Sequence, residues 1–144
     1  MLTQSQNQLT LKTTVALIAS TITLGFSSSV LAQSDQLSTQ LINSANQLNQ
    51  QLPKMIDPDT RLDSTQGGPG RQLSYNLTLV NYSSNQINNQ KFYQNVSPLV
   101  RKEACTHQGT QVLFNNKILI RFNYYGNDGR LISTIEVNSS DCGF

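Results

Sequence analysis

The chain has 144 residues, with ten Lys and Arg against eight Asp and Glu and only 12% charged side chains. That fits one small domain and no charged tail. A net charge of +2 without basic clusters argues against a nucleic-acid partner, and the 15 Asn and 16 Gln dispersed among apolar residues fit a folded chain with an uncharged polar surface.

Residues 1–32 carry one charge, Lys12, then an apolar run from Val15 to Phe26, then Ser27-Ser28-Ser29-Val30-Leu31-Ala32. This order predicts a secretory signal peptide cleaved after Ala32. A membrane anchor is the alternative reading, but twelve helical residues cover about 18 Å of a roughly 30 Å hydrocarbon core. The expected mature chain, 33–144, is a single exported domain, periplasmic or secreted, with no stable membrane anchor after cleavage. No cysteine near Ala32 suggests a lipid attachment.

From Ser34 onward, Leu37, Leu41, Ala45, Leu48 and Leu52 recur at helical spacing with amides between them. They predict an amphipathic helix capped by Ser34 or Asp35 and ended by Pro53. Asp57-Pro58-Asp59 reads as a turn. A hairpin follows, with strand 60–65, the loop Gln66-Gly67-Gly68-Pro69-Gly70, and strand 71–82, in which Leu73, Tyr75, Leu77 and Leu79 alternate with polar residues. After a polar connector at 83–90, Phe92, Val96, Leu99 and Val100 predict a second helix running to Cys105, interrupted or restarted at Pro98 with Ser97 as a cap. Val112-Leu113-Phe114 is expected as a short buried turn.

Ile118 to Tyr125 and Leu131 to Val137 predict a second hairpin around Gly126-Asn127-Asp128-Gly129. Opposing Gly126 to Gly129 would pair Tyr124 with Leu131, Phe122 with Ser133, Ile120 with Ile135 and Ile118 with Val137, placing both apolar sets on one face.

In an oxidising compartment Cys105 and Cys142 have a single intramolecular pairing, a crosslink around about 38 residues that restricts the unfolded chain by roughly 4 kcal/mol. The expected fold is α+β: a four-stranded antiparallel sheet in the order αββαββ, helices on one face, one disulfide. Leu41, Leu48, Leu77, Phe122 and Ile135 should form the core. The other face should show water Arg61, Asp63, Thr65, Gln72, Ser74, Asn76, Thr78, Arg121, Asn123, Tyr125, Arg130, Ile132, Thr134 and Glu136.

The segments Leu52-Pro53-Lys54-Met55-Ile56-Asp57, Thr60-Arg61-Leu62-Asp63, Gly68-Pro69-Gly70, Tyr124-Tyr125-Gly126-Asn127-Asp128-Gly129 and Asp141-Cys142 carry a pattern that resembles small exported bacterial proteins of uncharacterised function. The resemblance spans nearly the whole mature chain and implies a secreted or periplasmic setting with two linked cysteines. It implies no activity.

Asp57, Asp59 and Asp63 form a carboxylate cluster that a hydrolase would want, with His107, the single histidine. The spacing lacks the glycine and late glutamate of a calcium loop, and turn chemistry accounts for it more simply. Cys105 with His107 would suit nucleophilic catalysis, but a disulfide consumes the thiol. Gly67-Gly68-Pro69-Gly70 lacks the ending of a phosphate loop. No metal site or cofactor is expected, nor a catalytic set. The expectation is therefore a small binding protein, inhibitor-like or an envelope accessory module, with another envelope or secreted protein as partner. Its anchors would be Arg61, Arg121, Tyr125 and Arg130 on the open sheet face, with Gly68-Pro69-Gly70 as a rim. The alternative is a small hydrolase using Asp57, Asp59, Asp63 and His107.

Overall fold

The computed structural model describes residues 29–144, so the expected leader lies outside the described residues except for its last four positions. In chain order the elements are α1 (Ser29–Asn49), β1 (Lys54–Met55), β2 (Thr60–Gly68), β3 (Gln72–Leu79), α2 (Asn89–Thr106), α3 (Gln108–Asn115), β4 (Leu119–Gly126) and β5 (Leu131–Val137). Short 3-10 turns at Ser84–Gln86 and Ser139–Cys142 precede α2 and close the chain. The α+β class and the Cys105–Cys142 bond are both present.

The sheet departs from the expected one. It has five strands in the order β1-β2-β3-β4-β5, and β3 pairs with β4 in parallel while every other pair is antiparallel. The cause is the connection between the hairpins: α2 carries the chain back along the sheet before β4 begins, so β4 sets off in the direction of β3. The additional strand, β1, adds Lys54 opposite Leu62 and Met55 opposite Arg61 at the β2 edge.

Other expectations change locally. The first helix starts at Ser29, so Ser34 and Asp35 lie within it, and α2 continues through Pro98. Val112-Leu113-Phe114 belongs to α3, whose Phe114 is fully buried. Gly67 and Gly68 belong to β2, opposite Leu73 and Gln72, which leaves Pro69-Gly70-Arg71 as the turn.

The second hairpin is shifted by two residues from the expected register, pairing Ile120 with Val137 and Phe122 with Ile135. The loop holds three residues rather than two: Gly129 donates its N–H to the Gly126 carbonyl and adopts φ +72°, and Gly126 then pairs with Arg130. A bulge at Ile132 adds the second residue. A shift of two preserves the face of every side chain beyond the bulge, so the apolar sets still coincide. Ile132, expected toward water, is the extra residue of the bulge and is buried.

All three helices cover one face of the sheet. Leu41 and Ala45 of α1 pack on Leu73 and Ile118, while Ala104 and Phe114 of α2 and α3 pack on Ile120, Ile135 and Val137; Tyr75 and Leu113 join the two clusters. Leu77 and Ile135 are buried as expected and Phe122 partly so, but Leu48 is exposed. The stripe of α1 that meets the sheet is Leu41, Ala45 and Asn49, because Asn49 and not Leu48 is bonded to β2. A bulge between Leu62 and Ser64 likewise turns Thr65 inward, where its hydroxyl donates to the Ala45 carbonyl.

Candidate functional site

The helix-free face of the sheet is an array of mutually bonded polar side chains. Asn76 donates to Ser64 (3.0 Å), Asn123 donates to Asn76 (3.0 Å) and Thr134 donates to Asn123 (2.9 Å), a row that crosses four strands. In the next row Arg121 reaches Gln72 on one side and Glu136 on the other, the latter at 2.7 Å. In a third, Asp63 accepts from Arg61 and from Thr78. Two of the four expected anchors, Arg61 and Arg121, thus spend their guanidinium groups inside the chain. Tyr125 stands on the same face, Arg130 is exposed beyond the 126–129 turn, and Pro69 and Gly70 form the tip of the other hairpin.

The residues of the hydrolase reading are not brought together. Asp57 accepts the N–H groups of Asp59 and Thr60 (2.8 and 2.7 Å), and Asp59 accepts from Asn81, which makes both carboxylates parts of the β1–β2 turn. Asp63 is on the helix-free face. His107 lies on the other side of the sheet, where its Nδ1 accepts the Gly109 N–H (3.1 Å) and caps α3. Cys105 is bonded to Cys142, so it holds no thiol for His107 to activate.

The helix-covered face holds what the sequence pattern did not single out. α1 lies over β2 and α2 over β5, and between them an apolar groove of about 570 Å³ stays open. Leu62, Tyr75, Leu77, Phe122 and Tyr124 line its sheet side; Leu99, Val100 and Ala104 of α2 form a wall, and Ile56 stands on the opposite rim. Lys102, Glu103, His107 and Thr110 supply its polar border. Tyr75 stacks on Phe122 at 5.4 Å between centroids, and Phe92 meets Tyr124 edge-on at 5.2 Å, so the aromatic rings are held in place.

Two properties suit this groove to a ligand. Leu99 is 67% exposed and Ile56 56% exposed, so each has apolar surface still to bury; a fully buried side chain of this size contributes about 1.5–3 kcal/mol. The hydroxyls of Tyr75 and Tyr124, moreover, have no hydrogen-bond partner among the described residues. Burial raises the Tyr75 pKa, and burial followed by the Asp57 carboxylate pushes Tyr124 up to about 12. Both phenols are therefore neutral donors at any physiological pH. The sequence placed Leu99 in the apolar stripe with Phe92, Val96 and Val100; the structure leaves it exposed on the groove wall.

No protein-family model matches this chain, and no curated protein matches it. Solved structures do. A protein of Pseudomonas aeruginosa assigned as secreted superposes with a TM-score of 0.64 at 17% identity, over 76% of this chain and 96% of its own. EpsS, the pilotin of the Vibrio vulnificus type 2 secretion system, gives 0.61 at 13% identity over 77% and 96%. The type II secretion pilotin AspS of Vibrio cholerae gives 0.60 at 13% identity over 79% and 99%. At these identities the likeness is one of fold, and it covers nearly the full length of all three proteins. Among the described residues no helix is long and apolar enough to cross a membrane.

Proposed function

We propose that this chain is a small exported accessory protein of the cell envelope that binds an apolar-faced segment of another envelope or secreted protein, and that the groove between α2 and strands β2–β4 is where it does so. The observation that carries this reading is the groove itself: it exposes Leu99 and Ile56 and leaves two tyrosine hydroxyls without a partner among the described residues, whereas the helix-free face already satisfies most of its polar groups internally. The fold supports it, since two of the similar structures are pilotins of type II secretion systems. The chain works as a binding module, in keeping with the separation of Asp63 and His107 to opposite sides of the sheet, and the type of partner to test first is a component of such a secretion system.

A photo-crosslinking residue placed at Leu99 or Ile56, in the protein exported by its own host, should trap a specific envelope or secreted protein. With the crosslinker at one of these positions, aspartate at the other (Ile56→Asp or Leu99→Asp) should abolish the adduct while changing stability by less than about 0.5 kcal/mol, because both side chains face solvent. If instead the adduct forms from position 125 or 130 and not from 99, the groove is not the site. Binding then belongs to the open face bearing Arg61, Arg121, Tyr125 and Arg130.

A further inference from the structure

A second, polar pocket of about 370 Å³ lies away from the groove, between α1, the β2–β3 turn and the end of α3. Gln36, Gln40, Asn115 and Asn116 line it with Leu37 and with two cations, Arg71 and Lys117. Among the described residues no carboxylate lines it, and neither cation makes an ion pair. Among the described residues the Arg71 guanidinium has one long bond, to the Asn116 carbonyl at 3.5 Å, and the side-chain amides of Gln36, Gln40 and Asn115 have no partner.

The backbone beneath the two cations is unusual in the same way. Arg71 (φ 60°) and Lys117 (φ 57°) are the only non-glycine residues at positive φ among the described residues, and both are on this pocket. Lys117 occupies the left-handed position of a Schellman motif: its N–H bonds the Phe114 carbonyl and the Ile118 N–H bonds the Leu113 carbonyl, a slot where glycine is the favoured residue. Arg71 follows Gly70 in a turn where it too adopts the glycine-like conformation. A long basic side chain at such a position costs free energy that glycine would not, and strained positions of this kind concentrate at binding sites. β3 and β4 then hold the two together, since the Leu119 N–H donates to the Arg71 carbonyl at 2.9 Å.

We infer that this pocket binds an anionic saccharide: Arg71 and Lys117 take its carboxylate or phosphate group, and the amides, each both donor and acceptor, take the neighbouring hydroxyls. The volume lies within the range of small-molecule sites. This site shares no residue with the groove, so each stands or falls without the other.

The test is a backbone-amide NMR titration of the purified, disulfide-bonded protein with D-glucuronate, glucose 6-phosphate, inorganic phosphate and glucose. The two acidic sugars should shift the amides of Arg71, Gln72, Asn115, Asn116 and Lys117 at millimolar concentration, inorganic phosphate should act more weakly, and glucose should do nothing. Lys117→Gly and Arg71→Gly are the informative variants, because glycine relieves the backbone. Each should keep or raise the melting temperature while weakening binding by at least about tenfold. Absence of shifts with both acidic sugars, equal shifts with glucose, or undiminished affinity in both variants overturns the proposal. Inorganic phosphate binding as tightly as the acidic sugars overturns the saccharide assignment.

Discussion

The side-chain amide of Asn49 pairs with both backbone groups of Thr65: Nδ2 donates to the Thr65 carbonyl at 2.8 Å, and Oδ1 accepts the Thr65 N–H at 2.7 Å. A single side chain at the last position of α1 thus supplies what a neighbouring strand would. β1 pairs β2 only as far as Leu62, so the outer edge of β2 is otherwise open at this point. Covering such an edge removes a template for pairing with another chain. Asn49→Ala should lower stability by about 1–3 kcal/mol, since it strips both backbone bonds, and the 3.1 Å bond from the Thr65 hydroxyl, from a partly buried site. Gln50→Ala, one residue on and exposed, should stay within about 0.5 kcal/mol. Paired urea titrations check both.

Gly67 lets α1 lie on β2. A Cβ there would stand 2.5 Å from backbone atoms of Leu41 and Ile42, which cannot rotate away, whereas one at Gly68 would meet nothing within 4 Å. Gly67→Ala should therefore cost about 1–3 kcal/mol through overpacking, with altered amide shifts along residues 37–45. Gly68→Ala should be nearly neutral. Equal melting temperatures for the two variants would contradict the close approach.

Cys105 at the end of α2 and Cys142 in the last 3-10 turn close a loop with a sequence separation of 37. Cys105→Ala with Cys142→Ala should lower the unfolding free energy by about 4 kcal/mol in the chain-entropy account. Guanidinium titration of the oxidised wild type against the double variant measures the difference, and intact mass with and without reductant confirms the bond.

Asp128 fastens the β4–β5 turn to the connector before α2. The Ser84 hydroxyl donates to its Oδ2 at 2.7 Å and the Ser84 N–H to its Oδ1 at 3.2 Å. The hydroxyl bond is the main cause that holds its pKa below the ordinary 3.8, with the Ser84 and Arg130 N–H groups adding to it. A carboxyl depressed in the folded state adds stability that is complete above its unfolded pKa and is lost as pH falls through the folded value. Ser84→Ala should therefore raise the Asp128 pKa toward 3.8 and move acid unfolding to higher pH. Carboxyl-carbon NMR and a pH series of melting temperatures read the two effects.

Much of this molecule is local and was legible as such. Period-two and period-3.6 patterns are set by residues a few positions apart, so α1, α2, both hairpins and the faces of Leu77, Phe122 and Ile135 followed from the sequence. The disulfide followed from chemistry, because two cysteines in an oxidising compartment have one intramolecular pairing. What tertiary structure decided was everything that depends on pieces meeting from far apart. Whether β3 meets β4 in parallel depends on the path of α2, which no pattern within either strand records. The two-residue shift depends on a bulge at Ile132, and the inward turn of Thr65 on another beside Asp63, each altering a face without altering the alternation that surrounds it. The two pockets belong to the same class. The groove is the space that α1 and α2 leave over a shared sheet, and the basic pocket joins residues from 36 to 117 that become neighbours only when helix, turn and strand are packed.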